Sequence, residues 1–265
     1  MNASDPIGFF DSGWGGLSIL KTARRMLPNE NFIYVADCGY APYGDRSHDF
    51  IVNRARTIAS FLFDRMHAKA LVVACNTATA EAIDTLRQER PHEIIVGIEP
   101  AIKPAVAISK NKRIGMIATN RTAHSERYLK LLRRFGKEAH ILSEGCPGLM
   151  NCVEAGEFDS PKTRALLHRF LDPMINDEID TLVLGCTHYP FLSETIQSIV
   201  GPSVTIYEPS EAVCRHLKDR LQSANAINTQ AQKGSEYFFV SGLNEQRKSV
   251  ALRLWGKTTP FENLD

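Results

Sequence analysis

Two short stretches decide the reading of this chain: Leu71-Val72-Val73-Ala74-Cys75-Asn76-Thr77 and Leu182-Val183-Leu184-Gly185-Cys186-Thr187-His188. Each is an apolar run of strand length that ends on a cysteine and continues into polar residues and a helical pattern. They are separated by 182 − 71 = 111 positions. A second pair, Ile7-Gly8-Phe9-Phe10-Asp11-Ser12 and Ile114-Gly115-Met116-Ile117-Ala118-Thr119, is separated by 114 − 7 = 107. Two motifs sharing almost one offset point to a duplicated unit.

Working outward, short β-branched or aromatic runs alternate with longer amphipathic stretches. Strands are predicted at 6–10, 31–36, 70–74, 94–98, 113–118, 139–143, 181–185, 204–207 and 237–240. Helices are predicted at 17–26, 48–66, 79–88, 123–135, 162–175 and 212–221, with the polar stretch 222–234 read as a loop. Mostly apolar strands alternating with helices predict an α/β fold with mostly parallel sheets.

Bulk properties exclude several classes. The 265 residues carry a formal net charge of +1, so no polyanionic partner is favoured and nucleic acid is not expected. The apolar runs are too short to span a bilayer, so no membrane association is expected. Residues 1–10 lack the basic start and long apolar core of a signal peptide. The six cysteines, at 38, 75, 146, 152, 186 and 214, form no C-x-x-C pair and no zinc spacing. Free thiols in a reducing cytoplasm are the expectation.

Cys75 and Cys186 stand apart from the other four because they occupy matching places. Each follows a strand, where open α/β sheets bind ligands, and precedes a helix start, which favours a thiolate. Inverting a stereocentre without a Schiff-base cofactor requires two acid/base groups on opposite faces of the reacting carbon, a task two equivalent thiols fit. The spacing Cys186-x-His188 also admits a nucleophile with a neighbouring base, although that reading leaves Cys75 unused. The turn Asp11-Ser12-Gly13-Trp14-Gly15-Gly16 reads either as an anion cradle or as a tight, N-capped strand-to-helix turn. Pro42-Tyr43-Gly44 is a rigid turn whose tyrosine either donates a hydrogen bond to a ligand or sits at an ordinary loop. His188 either tunes the adjacent thiol or caps the core, and spacing gives no reason to single out Glu154.

Taken together, Phe10-Asp11-Ser12-Gly13, Pro42-Tyr43-Gly44, Ala74-Cys75-Asn76-Thr77-Ala78-Thr79-Ala80, Ile98-Glu99-Pro100 and Gly185-Cys186-Thr187-His188-Tyr189-Pro190 resemble the glutamate racemases of the aspartate/glutamate racemase family. The resemblance covers about the first 215 residues and is carried by the two cysteine motifs. It implies two pseudo-symmetric Rossmann-like or flavodoxin-like domains, 1–98 plus 208–265 and 99–207, with the active site in the interdomain cleft. It implies that Cys75 handles the α-proton of D-glutamate and Cys186 that of L-glutamate, with Asp11 assisting the first thiol and His188 and Glu154 the second. Ser12, Pro42, Tyr43, Gly44, Asn76, Thr77, Thr119 and Thr187 would bind the substrate. No pyridoxal phosphate, flavin or catalytic metal is expected. The product would supply peptidoglycan synthesis, and a cytoplasmic homodimer is in keeping with the family. The rival readings are a racemase or isomerase of another small acidic substrate such as aspartate, a Cys-His hydrolase, and a non-catalytic amino-acid-binding protein.

Three places depart from the family's pattern: Trp14 for a small aliphatic residue, Ala118-Thr119 for Gly-Thr, and Glu208-Pro209-Ser210-Glu211 for Asp-Ser-Gly-Glu. They bear on the packing of the domain junction and on any allosteric pocket near it.

Overall fold

The computed structural model describes residues 2–264; Met1 and Asp265, which bound the expected first domain, lie outside the described residues. In chain order the strands are Ile7–Asp11 (β1), Phe32–Ala36 (β2), Ala70–Val73 (β3), Ile94–Gly97 (β4), Arg113–Ala118 (β5), His140–Gly145 (β6), Thr181–Leu184 (β7), Thr205–Tyr207 (β8), Glu236–Val240 (β9) and Phe261–Asn263 (β10). They form two sheets in the orders β10-β9-β2-β1-β3-β4 and β6-β5-β7-β8, and every pairing is parallel. The chain separates into two compact units, residues 2–98 with 210–264, and residues 99–209.

The duplication read in the sequence is present in the register. In each unit the first strand lies between the second and third, with the fourth outside the third. Gly8 pairs with Leu71 in the first sheet, and Gly115 with Leu182 in the second. These are the residues that the two offsets align. The paired glycines have one cause. A Cβ on Gly8 would lie 2.9 Å from Leu62 Cδ1, and one on Gly115 would lie 2.7 Å from Met174 Sδ. Each strand admits a helix side chain against its backbone there.

In the first unit β1, β2 and β3 are buried along their whole length, which is why they read as unbroken apolar runs. One face packs Phe10, Val35 and Val73 against Ile51, Ile58 and Leu62 of the following helical segment and Leu86 of helix Asn76–Glu89. That segment is helix His48–Ser60 followed by a π-helical turn, Phe61–Arg65, rather than the single helix predicted to residue 66. Trp14 is fully buried, stacked on Tyr34 (centroids 6.4 Å apart, planes at 11°) and edge-on to Phe261 of β10 (5.6 Å). The second unit buries Ile114, Met116 and Val183 against Ile102, Val106 and Tyr128.

Helix Leu17–Met26 and strand β5 match prediction end for end. Helices Ile102–Ile108, Leu149–Glu154, Ser193–Val200 and Glu245–Trp255, and strand β10, were not predicted. Helix Pro161–Asn176 runs three residues beyond Pro173, started by a Ser160 cap that accepts from the Thr163 N–H at 3.2 Å.

Candidate active site

In the first unit the functional candidates gather at the carboxyl ends of β1 and β3. Asp11 ends β1, and its Oδ1 accepts the Gly13 N–H at 2.9 Å, folding the chain into a turn before helix Leu17–Met26. Gly16 is required there: a Cβ on it would meet Asp11 Cβ at 2.8 Å and the Tyr34 hydroxyl at 2.9 Å. Cys75 is the N-cap of helix Asn76–Glu89. Its Sγ accepts the Ala78 N–H at 3.4 Å and lies 3.5 Å from Ser12 Oγ. A sulfur at the positive end of a helix, with an N–H directed at it, is favoured as the thiolate.

Asn76 and Thr77 follow, both buried. The Asn76 side chain has no hydrogen-bond partner at either its Oδ1 or its Nδ2. A buried amide left unsatisfied costs about 1–3 kcal/mol, so its retention beside Cys75 points to a ligand that supplies the missing partners. Thr79 is used differently. Its hydroxyl donates to the Val73 carbonyl at 2.9 Å and accepts the Ile98 N–H, fixing the strand end.

The Pro42-Tyr43-Gly44 turn begins with a cis Ala41–Pro42 bond. Tyr43 is buried and donates its hydroxyl proton to Asp37 Oδ2 at 2.5 Å. That proton is therefore held inside the protein. Burial, reinforced by the Asp37 charge, pushes the phenol far above its ordinary range. Arg54 grips the same carboxylate with two N–H groups, Nε to Oδ2 at 2.9 Å and Nη2 to Oδ1 at 2.7 Å. Burial alone would lower the Arg54 pKa, but the Asp37 hydrogen bond and charge outweigh it and raise it. Asp37, Arg54 and Ser241 were missed in the sequence. The available signal was that Asp37 closes β2 next to Asp11, whose carbonyl accepts the Asp37 N–H at 2.9 Å.

In the second unit Thr119 follows β5 and caps the short helix Asn120–Ala123 by accepting the Thr122 N–H at 3.2 Å. Cys186 and Thr187 follow β7, both buried. Cys186 Sγ lies 3.7 Å from His188 Nδ1, and His188 Nε2 lies 2.7 Å from Glu154 Oε1. The thiol, imidazole and carboxylate thus form a line. Burial would lower the His188 pKa, but the bonds to Cys186 and Glu154 outweigh it and raise it well above the usual imidazole value. Glu154 arrives from the end of helix Leu149–Glu154, which starts on Gly148 at φ +85°. Tyr189 donates towards the Ala118 and Cys146 carbonyls at 3.1 and 3.4 Å, tying down the strand ends beside Cys186.

The other four cysteines are buried and in no disulfide, and burial pushes the Cys146 thiol well up. Aligned by the repeat, Ser12 corresponds to Thr119, Cys75 to Cys186 and Thr77 to His188. Asp11 corresponds to Ala118, so each thiol takes its polar neighbour from a different place in the repeat.

Residues 18–217 match the family described as Asp/Glu/hydantoin racemase. The chain belongs to that racemase family. It is 42% identical over 262 residues to a glutamate racemase of Pseudomonas paraeruginosa, covering 99% of this chain and 98% of that one. The fold of this racemase superposes on a glutamate racemase isoform from Bacillus anthracis with a TM-score of 0.90 at 32% identity, covering 100% and 98% of the two chains. It also superposes on the Francisella tularensis glutamate racemase solved in complex with D-glutamate, with a TM-score of 0.87 at 29% identity, covering 99% and 98%. Among the described residues of the racemase, no helix is long and apolar enough to cross a membrane.

Proposed function

We propose that this racemase interconverts L- and D-glutamate by proton transfer at Cα, with Cys75 and Cys186 as its two acid/base thiols and no cofactor. The observation that carries the reading is their equivalence: each thiol follows the third strand of its sheet, in one register of a duplicated unit, with a polar partner beside it. In the L-to-D direction the Cys186 thiolate removes the α-proton and the Cys75 thiol supplies the new one; the reverse direction exchanges the roles. Asp11 assists Cys75. His188, oriented by Glu154, assists Cys186, since an imidazolium within 4 Å of a sulfur favours the thiolate.

The α-proton is very weakly acidic and a thiolate is a mild base, so the carbanionic transition state needs donors already in place. Ser12, Asn76, Thr77 and Thr187 fill that need, and the unpartnered Asn76 amide is the strongest support for it. Pro42, Tyr43, Gly44 and Thr119 complete substrate binding. The enzyme works in the cytoplasm as a homodimer and supplies D-glutamate for peptidoglycan.

The test is proton exchange in D₂O with no added cofactor. The native enzyme should invert both enantiomers and deuterate Cα as it does so. Cys186→Ser should exchange the α-proton of D-glutamate without inverting it, and Cys75→Ser that of L-glutamate. Inversion surviving in either variant would remove that thiol from the mechanism. Turnover of aspartate in preference to glutamate would move the substrate assignment to the aspartate reading. An acyl-enzyme trapped on Cys186, with Cys75→Ser fully active, would favour the hydrolase.

A further inference from the structure

In the second unit one buried hydroxyl joins the three loops that carry the candidate residues. Tyr189 is fully buried, and its hydroxyl donates towards the Ala118 carbonyl at the end of β5 (3.1 Å) and the Cys146 carbonyl just after β6 (3.4 Å). Its backbone N–H donates to the Cys186 carbonyl at 3.1 Å, which anchors the same residue to the loop after β7. Cys146 is held on both sides. Its N–H donates to the Ala118 carbonyl at 2.8 Å, and its carbonyl also accepts the Leu149 N–H at 3.4 Å. Leu149 opens the helix that ends on Glu154, so the phenol sits where that helix is launched. Burial, reinforced by the charges of Cys186 and Cys146, pushes the phenol well above its ordinary range, so it stays a donor while the site titrates.

The repeat shows why this launch matters to one thiol and not the other. The offset that aligns Cys75 with Cys186 aligns Ala78 with Tyr189. At the first thiol the Ala78 N–H points to the sulfur, at the start of the 14-residue helix Asn76–Glu89. At the second the equivalent N–H is directed to the Cys186 carbonyl, and the chain enters a short 3₁₀ turn, Tyr189–Leu192. What Cys75 takes from a helix end, Cys186 takes from its side-chain line. The titratable groups facing His188 are Cys186 from its own loop and Glu154 from the helix beyond Cys146. Glu154 lies 34 positions from His188, and its 2.7 Å contact depends on how the two loops are held together. Where the first unit has a methyl group that cannot donate, the second has a hydroxyl that ties those loops.

Resting on the racemase reading above, we propose that Tyr189 is a positioning residue for proton transfer at Cys186, clamping the Ala118 and Cys146 carbonyls with one hydroxyl and so holding Glu154 against His188. It acts through Glu154 and His188, and on the second thiol alone.

The experiment measures Cα-proton exchange in D₂O, at saturating glutamate, in single-thiol backgrounds. In Cys75→Ser, where Cys186 acts on L-glutamate, adding Tyr189→Phe should slow exchange about threefold, within the range of one neutral hydrogen bond, and move its alkaline limb to lower pH. In Cys186→Ser, where Cys75 acts on D-glutamate, the same change should leave exchange as it was. With both thiols present, Tyr189→Phe should lower kcat/KM by a similar factor, shift the alkaline limb the same way and add nothing to Glu154→Gln. These last readouts need neither thiol variant.

Equal slowing of both exchange reactions, an alkaline limb that stays in place, or a loss additive with that of Glu154→Gln would make Tyr189 a packing residue and overturn the proposal. If Tyr189→Phe fails to fold, Gly148→Ala disturbs the same helix start: φ there is +85°, and a Cβ would meet only Leu166 Cδ1 at 3.6 Å, so the strain falls on the backbone. It should give the same one-sided loss, and unchanged exchange of L-glutamate would overturn the proposal equally. A native protein inactive on glutamate would overturn the racemase reading itself, and that result is separate because it precedes any variant.

Discussion

Replacing Glu154 with glutamine tests the line Cys186–His188–Glu154 with little change in shape. His188 is buried, and its Nε2 lies 2.7 Å from the carboxylate. A hydrogen bond between charged groups contributes about 1.5–3 kcal/mol, against about 0.5–1.5 for a neutral one. Glutamine retains an acceptor and loses the charge, so the expected loss is roughly 1–1.5 kcal/mol. At tenfold per 1.36 kcal/mol, that lowers kcat/KM by roughly five- to twelvefold. In an achiral solvent the two enantiomers have equal free energy, so kcat/KM must fall equally in both directions. Only kcat and KM separately can show which half-reaction suffers.

The pH profile provides the sharper check. Glu154 is one of the groups that raise the His188 pKa, so the imidazolium persists to higher pH than a free histidine. Without that charge the proton is lost at lower pH. The alkaline limb of kcat/KM should therefore move down. Polarimetry from neutral into alkaline solution measures it. An unchanged kcat/KM, or an alkaline limb that stays in place or moves up, would refute the view that Glu154 sustains the charge on His188.

Two further expectations concern stability. Gly115→Ala would place a methyl group 2.7 Å from Met174 Sδ and 2.9 Å from Ile179 Cδ1, and overpacking of this kind should cost about 1–3 kcal/mol, read as a lower urea midpoint at unchanged slope. Lys69 donates to Glu30 Oε2 at 2.5 Å with both side chains almost wholly buried, so Lys69→Met should cost about 3–5 kcal/mol by leaving a buried carboxylate unpaired. Adding Glu30→Leu to that variant should recover much of the loss. Failure to recover any of it in the same urea titration would mean that the Asn228 N–H bond to Glu30 Oε1 matters more than the ion pair.

What the sequence revealed and what it hid follow from the range of the interactions involved. β5 was legible because it is buried on both faces and its apolar run has no polar interruption. The two cysteine motifs were legible because duplication wrote the same local chemistry twice. Strand β10 was not legible: it has three residues, and its existence depends on pairing with β9. Helix Glu245–Trp255 hides its buried side, Val250, Ala251, Leu254 and Trp255, behind a charged first half. Helix Ile102–Ile108 carries Pro104 in its first turn, which reads as a breaker although proline is tolerated at a helix start. Glu154 could be placed only by the resemblance, because its partner His188 lies 34 positions away. Asp37 escaped notice for the same reason: its contact with Ser241 spans 204 positions.

The split of the first unit across the sequence has a consequence for biosynthesis. Residues 99–209 form a contiguous unit and can complete their contacts once they have left the ribosome. The first unit cannot, because β2 exposes an unpaired edge until β9 has been translated, long after both cysteines. The same late segment brings Ser241 to Asp37. A nascent or C-terminally truncated chain therefore carries both cysteines without the finished turn at Tyr43. The order of synthesis thus puts both thiols first and the partner that completes the turn well after them.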